Sequence, residues 1–295
     1  MIRLAVLDGE SRCLPRQPLR ARNSMPELPE VQTIVAQLAP KLRGQVLRRL
    51  ELFDAKLKDL DVGAAEGRVV RRITRLGKRA VFELAAPKSG AGNPVWLSVH
   101  LRMTGRLIWS ESGATEAGRP PRARLVFDRG SLSFFDMRRF GILRLCRSLD
   151  EAAPMGLDPL AGDFTPQALE SLLGSSRQEI KPWLMRQDRL SGLGNIYASE
   201  ILFSARIHPA RTGASLTRAE IRRLHAATGR VLRRAIKYCG VTFSDFQDSR
   251  GCIGSYQRLL GVYRRAGERC RRCRATIERV VQQQRSTFFC PRCQA

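Results

Sequence analysis

Residues 270–293 read CRRCRATIERVVQQQRSTFFCPRC, and this stretch decides the structure of the C-terminal part of the chain. Two Cys-x-x-Cys pairs, Cys270 with Cys273 and Cys290 with Cys293, are separated by sixteen residues. Four thiolates from two such turns match the tetrahedral coordination of Zn²⁺ in structural sites. Four buried thiols without a metal would not require this spacing. We therefore predict one structural zinc, held at the ends of a β-hairpin.

The segment before these cysteines has helical periodicity. Apolar residues recur at helical spacing over 218–238, Thr217 and Glu220 form a capping box at the start, and Gly240 follows the end. The polar, glycine-containing residues 244–258 predict a mobile loop. We predict a helical domain over 153–262 and a zinc module over 263–295.

The first half of the chain has a different pattern. A helix is predicted at about 27–42, and short apolar runs separated by turn residues fill 46–146. A series of strands after a single helix predicts a β-sandwich over 25–152 with that helix against it. The fold class is therefore α+β, with several domains.

Residues 1–24 differ from the rest of the chain. They contain five arginines and no sustained apolar period, and the opening IRLAVL is too short for a secretory signal. We expect this extension to be disordered or to be absent from the mature protein.

Charge indicates the class of partner. The chain has 52 Lys and Arg against 27 Asp and Glu, a net charge of +25, and an isoelectric point of about 11.2. Such an excess favours nucleic acid or an anionic membrane surface. A ribosomal or chromatin protein would have the same charge, so charge alone does not indicate an enzyme. No run of eighteen apolar residues exists to span a membrane.

MPELPE at 25–30 contains candidate catalytic groups. Removal of Met25 would leave Pro26 with a secondary amine, a nucleophile when it is deprotonated. Attack of that amine on a sugar C1′ gives an iminium, and the neighbouring carboxyls of Glu27 and Glu30 can transfer protons. The same residues also fit an ordinary helix N-terminus with proline and acids in its first turn. The segment by itself favours that second interpretation.

Seven segments considered together favour the catalytic interpretation over an ordinary helix N-terminus. In chain order they are PELPEVQT, LGKRAVFEL, HLRMTG (100–105), DMRRFG (136–141), IKPWLM (180–185), GLGNIYASE (192–200) and the cysteine pairs. This set resembles formamidopyrimidine-DNA glycosylase, over about 25–295. The resemblance implies a helix–two-turn–helix domain after the sandwich, damaged double-stranded DNA as partner, zinc but no organic cofactor, a monomer, and a bacterial cytoplasmic location.

The resemblance also implies catalytic roles. The family excises oxidised purines and then cuts the abasic site by β,δ-elimination. Pro26 would form the Schiff base, and Glu27 would be the proton donor for base release. Lys78 would donate a proton in β-elimination, and Arg285 in δ-elimination. The implied DNA-binding residues are His100, Met103, Arg138, Phe140, Lys181, Asn195 and Arg285.

Some of these roles compete with simpler ones. Met103, Arg138 and Phe140 match a wedge that fills the space left by an extruded nucleotide, although strand alternation alone would make Met103 and Phe140 core residues. Lys181 and Asn195 match phosphate-binding positions, with Gly192 and Gly194 allowing DNA to approach the backbone. His100 is expected to be a hydrogen-bonded structural histidine beside the site rather than a general base.

Three departures from the family pattern are visible. Met137 stands where proline is usual, residues 85–93 contain an insertion, and SRGCIGSYQ at 249–257 differs in the loop that covers the base, which leaves lesion preference open. One alternative is an endonuclease VIII-like enzyme for oxidised pyrimidines, but Leu28 stands where that class has glycine. Another is a non-catalytic zinc-dependent DNA-binding protein, in which residues 1–24 keep the Pro26 nitrogen as an amide.

Overall fold

The computed structural model describes residues 25–86, 92–112, 120–174, 176–242 and 248–295. The extension 1–24 and most of the insertion at 85–93 lie outside the described residues. The helices are α1 (Leu28–Leu42), α2 (Leu149–Ala152), α3 (Pro166–Leu173), α4 (Ile180–Leu184), α5 (Asn195–Ala205) and α6 (Arg218–Lys237). The strands are β1 (Leu47–Leu52), β2 (Val69–Leu76), β3 (Arg79–Ala85), β4 (Val95–His100), β5 (Gly105–Ser110), β6 (Ala123–Phe127), β7 (Gly130–Asp136), β8 (Ile142–Cys146), β9 (Glu278–Gln282) and β10 (Arg285–Phe289).

The predicted β-sandwich is confirmed. Two four-stranded antiparallel sheets have the orders β2-β3-β4-β8 and β1-β6-β7-β5. Helix α1 places Val31, Ile34 and Leu38 in the core between and beside them. Two short 3-10 turns interrupt the strands, because Asp54 and Asp61 cap them locally. The strand pattern of the sequence did not predict these turns.

The helical domain has α5 at its centre. Nine of the eleven residues of α5 are buried, and the helix packs between α6 and the β9–β10 hairpin. The predicted capping box of α6 is confirmed: the Glu220 N–H donates to Thr217 Oγ1, and the Thr217 N–H donates to Glu220. The zinc module shares this core through Phe288 and the cysteines.

The prediction of a mobile loop over 244–258 is wrong for its described part. Residues 243–247 lie outside the described residues, but Asp248 is fully buried and accepts the N–H groups of Arg250 and Cys252. The N–H of Trp109 in β5 donates to the Ser249 carbonyl at 2.9 Å. A 3-10 helix, Tyr256–Leu259, follows. The buried Asp248 carboxylate accepts N–H groups of its own turn, and these hydrogen bonds explain why this polar segment is ordered.

The two large domains are joined through the start of α1. Leu28 donates its N–H to the Gly192 carbonyl at 3.0 Å and packs in the helical core, not in that of the sandwich. Arg75 of β2 pairs with Asp158 at 2.5 Å across the same junction. The residues around Pro26 therefore lie where sandwich and helical domain meet. The boundaries 25–152, 153–262 and 263–295 remain predictions.

In the described part of the chain, no helix has both the length and the apolar character needed to cross a bilayer.

Candidate active site and nucleic-acid interface

Glu27 connects the N-termini of two helices. It precedes α1, and its buried carboxylate accepts the backbone N–H groups of Gly194, Ile196 and Tyr197 at 2.7, 2.9 and 3.3 Å, where α5 begins. Burial raises the pKa of this carboxyl, and the positive charge of Lys78 and the three N–H groups offset the rise only in part. A carboxyl with a raised pKa is suited to donate a proton near neutral pH.

Two glycines make this contact possible. A Cβ on Gly194 would lie 2.5 Å from the Glu27 carboxyl, and one on Gly192, where φ is +92°, would lie 2.9 Å from the Leu28 side chain. We predicted that these glycines allow DNA to approach the backbone. In the structure it is Glu27 and Leu28 that approach them, so the glycines are required by the contact between domains.

A second buried carboxyl, Glu30, lies beside the first. It accepts the Glu27 N–H at 2.8 Å, the Tyr197 hydroxyl at 2.6 Å and the Val241 N–H at 2.7 Å. Burial raises its pKa to about 7, against the opposing effect of these hydrogen bonds. A Cβ on Gly240 would come within 2.4 Å of its Oε1. Glu30 thus fixes the backbone at Glu27, and with it the position of Pro26.

Pro26 and Lys78 are the remaining groups at this junction. Pro26 is buried and directly precedes Glu27. Lys78 lies in the tight β2–β3 turn beside Gly77, half-buried. Burial lowers the pKa of the Lys78 ammonium, the charge of Glu27 opposes that shift, and the charge of Arg285 adds to it. The structure therefore brings together the four residues predicted to be catalytic, although they come from three separate parts of the sequence.

The three predicted wedge residues form one surface cluster, in which Arg138 and Phe140 are exposed and Met103 is half-buried. The Arg138 guanidinium lies 4.7 Å from the centre of the Phe140 ring, and its Nη1 donates to the Met103 sulfur at 3.4 Å. Phe140 is 50% exposed. The alternative in which Met103 and Phe140 belong to the β-core is wrong. They lie in the turns after β4 and β7, where strand alternation no longer applies.

A buried network of ion pairs and hydrogen bonds holds the two turns that carry the wedge cluster. Arg122 pairs with Asp54 at 2.5 Å and with Asp136 at 3.3 Å, and donates to the Gly141 carbonyl at 2.7 Å. Asp136 also accepts the Gly141 N–H at 2.6 Å. Thr104 donates its hydroxyl to Asp136 and accepts the Arg138 N–H at 3.1 Å. Both wedge turns are thereby fixed to the same carboxylate.

A third cluster of predicted site residues lies where α4, α5 and the β9–β10 hairpin meet. Lys181 donates to Asn195 Oδ1, and the Asn195 amide donates to the Ser286 carbonyl at 3.0 Å. Burial lowers the pKa of Lys181 to about 8. Lys181 has no exposed surface, so a phosphate could reach its ammonium only after neighbouring groups move. Arg285, in contrast, is exposed at the start of β10, and its charge acts on both Lys78 and Lys181.

His100 ends β4 next to the Lys78 turn. Its Nδ1 accepts the Arg102 N–H at 3.1 Å, and Arg102 has a φ of +53°. Burial, together with the charges of Arg102, Arg79 and Lys78, lowers the pKa of His100 to about 3. The ring is therefore neutral at physiological pH. A ring with so low a pKa, whose Nδ1 already accepts a hydrogen bond, is a weak proton acceptor and fits the predicted structural histidine better than a general base.

The four C-terminal cysteines converge as the sequence predicted. Their sulfur atoms all lie within 4.8 Å of one another. Zn–S bonds of about 2.3 Å in a tetrahedron require sulfur–sulfur distances of roughly 3.8 Å. The Cys270–Cys293 and Cys273–Cys290 pairs are 3.9 and 3.4 Å apart, so these residues fit Zn²⁺.

Comparison with known proteins agrees with this geometry. Residues 25–143 match the family model of the formamidopyrimidine-DNA glycosylase N-terminal domain. Residues 155–247 match its H2TH domain, and 267–295 match a zinc finger found in FPG and IleRS. The formamidopyrimidine-DNA glycosylase of Symbiobacterium thermophilum is 42% identical over 92% of this chain and 89% of its own length. That of Chloroflexus aurantiacus is 42% identical over 92% and 98%.

The chain belongs to the formamidopyrimidine-DNA glycosylase family. Solved structures of the family have the same fold. MutM (FPG) from Thermus thermophilus superposes with a TM-score of 0.79 at 36% identity, over 91% of this chain and 98% of that one. A Lactococcus lactis FPG mutant in complex with Fapy-dG-containing DNA gives 0.80 at 30% identity, over 91% and 99%. The zinc-finger match and the converging sulfurs assign one structural zinc to the four cysteines.

Sequence reasoning missed part of the site. Tyr197 and the role of Glu30 as its acceptor were not predicted, nor was the network of Arg122 with Asp54 and Asp136. Partners 167 residues apart, such as Tyr197 and Glu30, leave no local signal. The available signal was the GLGNIYASE segment itself, in which Tyr197 is one helical turn or less from Gly194 and Asn195.

Proposed function

We propose that this chain is a bifunctional DNA glycosylase and abasic-site lyase of base excision repair that acts on oxidised purines in duplex DNA. The observation that carries the proposal is the junction of Pro26, Glu27, Lys78 and Arg285. It supplies a nucleophile position, a buried carboxyl with a raised pKa and two cations at one place.

The reaction follows from these positions. Glu27 protonates the sugar as its ring opens, and the free amine of Pro26 attacks C1′ while the bond to the damaged base breaks. The resulting iminium withdraws electrons, so the 3′ phosphate leaves by β-elimination and the 5′ phosphate by δ-elimination. Lys78 and Arg285 are the proposed proton donors for these two steps. Cys270, Cys273, Cys290 and Cys293 would hold the zinc, which would stabilise the hairpin that carries Arg285.

Lesion preference is part of the proposal. Leu28 stands where the endonuclease VIII class has glycine, and this difference favours the purine enzyme. In the structure Leu28 is buried against Gly192 and belongs to the helical core. A Lactococcus lactis FPG has been solved in complex with an oxidised pyrimidine containing DNA. The unusual 249–257 segment keeps oxidised pyrimidines as the second candidate. We place the enzyme as a monomer in a bacterial cytoplasm, associated with the nucleoid through DNA.

A panel of duplexes tests the function directly. We expect excision of 8-oxoguanine and formamidopyrimidines, followed by a one-nucleotide gap, with slower excision of oxidised pyrimidines. Faster excision of the pyrimidines would replace the purine assignment. Binding without any excision by protein that begins at Pro26 would favour the non-catalytic alternative.

Zinc removal should unfold the C-terminal hairpin and weaken DNA binding, because the metal supplies much of the folding free energy of so small a module. Cys290→Ser should have the same effect. Cys146→Ser is the matched control, since Cys146 is equally buried but lies outside the sulfur cluster. Metal analysis, circular dichroism and duplex binding measure the outcome. Fully active protein without stoichiometric zinc would contradict this prediction.

Arg138→Ala and Phe140→Ala should slow base excision by about tenfold or more, while cleavage of a preformed abasic site changes little. The wedge offsets the cost of unstacking, a few kcal/mol, which is smaller when the base is already missing. Phe53→Ala removes a similarly exposed aromatic (52%) whose ring lies against Arg124 and not against Arg138, and it should affect neither reaction. Single-turnover rates of base excision and of abasic-site cleavage measure this difference. Equal slowing of both reactions would give the cluster a purely structural role.

Arg285→Ala should weaken binding to lesion and undamaged duplexes by similar factors. A lost phosphate contact releases one fewer counterion, so the slope of log K against log salt should flatten by about one unit. Fluorescence anisotropy from low to physiological salt measures both quantities. A loss confined to lesion DNA would place Arg285 in base recognition instead.

A further inference from the structure

The outward face of α6 is cationic along its whole length. Nine of its residues are exposed, and seven of these are arginine or lysine. The other two are Ala219 and Ala226, so this face contains no acidic and no large apolar side chain. The seven basic residues are Arg218, Arg222, Arg223, Arg230, Arg233, Arg234 and Lys237.

Most of this charge is not neutralised within the described residues. Arg218 pairs with Glu170 at 2.9 Å, and Arg223 lies 3.8 Å from Glu220. The other five basic side chains make no ion pair within 4.0 Å in the part of the chain that the structure describes. A cationic surface of this density attracts polyanions.

Helix stability does not account for the pattern. Cations near a helix C-terminus complement the macrodipole, which explains Arg234 and Lys237 in the last turn. Arg222 and Arg223 lie in the first two turns, where positive charge does not gain from the dipole. The face therefore needs a different explanation.

The cationic face points away from the proposed catalytic junction. The buried side of α6 packs on α5, and α5 in turn packs on β10, which holds Arg285. Since the cationic residues occupy the opposite side of α6, α5 lies between them and the hairpin. They therefore form a surface separate from Arg285 and Asn195.

We propose that the outward face of α6 binds a second segment of duplex DNA while the catalytic side holds the first. From Arg222 to Lys237 the face is about 22 Å long, at ~1.5 Å per residue. A duplex has roughly one phosphate charge per 1.7 Å of axis, so this length faces about six base pairs. Protein interfaces usually centre on aromatic anchors in packed pockets, and this face has none, which favours DNA over a protein partner. Bridging two segments lets the enzyme pass between them without first dissociating into solution.

The proposal rests on the proposed function only in taking DNA as the partner. Its test measures dissociation of the zinc-loaded protein from a fluorescent undamaged duplex as unlabelled duplex is added. The rate should rise in proportion to the unlabelled duplex, because a second segment is captured before the first is released. The triple variant Arg222→Gln, Arg233→Gln and Lys237→Gln should reduce that slope about tenfold, through the loss of phosphate contacts. Its rate without unlabelled duplex and its excision of 8-oxoguanine should not change.

A matched control removes the same charge elsewhere. Arg48, Arg49 and Arg71 are 60, 68 and 71% exposed, and each lies within 4 Å of a carboxylate. Replacing these three with Gln should leave the slope unchanged. Equal slopes in wild type and the α6 variant, or equal losses in both variants, would overturn the proposal. So would acceleration by RNA or by an acidic protein but not by duplex. Should the triple variant fold poorly, Arg222→Gln alone should give a smaller fall in slope.

Discussion

Protein whose first residue is Pro26 is expected to excise 8-oxoguanine and cut the strand, whereas a chain that retains residues 1–24 is expected to lack both activities. In the longer chain the Pro26 nitrogen is a tertiary amide without a nucleophilic lone pair. As a free amine it would ordinarily titrate near 7.7–8.0, so a reactive fraction exists at neutral pH. Loss of a catalytic nucleophile costs on the order of a thousandfold or more in rate.

A one-residue extension distinguishes the loss of the free Pro26 amine from the steric effect of residues 1–24. A chain with one N-acetylated glycine before Pro26 blocks the Pro26 amine, supplies no new one and adds little volume, and it should be as inactive as the longer chain. Both forms should still bind duplex DNA, because Arg285 and the zinc module are unchanged. Activity in the glycine-extended form would show that the nucleophile is another group. Mass spectrometry of protein from its native source should find Pro26 at the N-terminus.

Glu27→Gln should reduce base excision by about a hundredfold to ten-thousandfold, the range for loss of a general acid. The amide retains the shape and accepts N–H groups through its single oxygen, but it has no acidic proton to donate. Cleavage of a preformed abasic site, which needs no base release, should fall less. Glu200→Gln is the matched control, since Glu200 is equally buried and also accepts three backbone N–H groups, from Gly261, Val262 and Tyr263.

The pH profile provides a second check on Glu27. On the acid side, excision should fall as the Pro26 amine becomes protonated. On the alkaline side it should fall as Glu27 loses its proton, and because burial raises the pKa of Glu27 this limb lies above the range of an exposed carboxyl. Glu27→Gln should lose the alkaline limb and keep the acid one. An unchanged profile would assign the proton to another group, with Glu30, whose pKa is about 7, the first to examine.

The parts of the fold with local signals could be predicted from sequence. The capping box of α6 involves residues three apart, and the zinc site follows from two short cysteine turns, so both were predicted with their residues. The wedge and the catalytic residues came from resemblance, since strand alternation alone would have placed Met103 and Phe140 in the core. Their exposure depends on turns that an alternation pattern does not describe.

Other features depend on tertiary contacts that no local pattern contains. Gly194 is needed because Glu27, 167 residues away, lies against it. The order at 248–258 comes from the burial of Asp248 beneath a polar segment that, judged by composition, resembled a mobile loop. Glu27 satisfies backbone N–H groups of a distant segment and Asp248 those of its own turn, but both carboxylates are buried by parts of the chain that meet only in the folded protein.

Borohydride trapping tests the central claim most directly. Protein that begins at Pro26 is incubated with 8-oxoguanine duplex and borohydride, and the trapped complex is digested for peptide mass spectrometry. We predict a reduced covalent adduct on the N-terminal peptide, at the Pro26 nitrogen, and no adduct with the glycine-extended chain. An adduct carried by Lys78, or trapping of an intact 1–295 chain, would contradict the account.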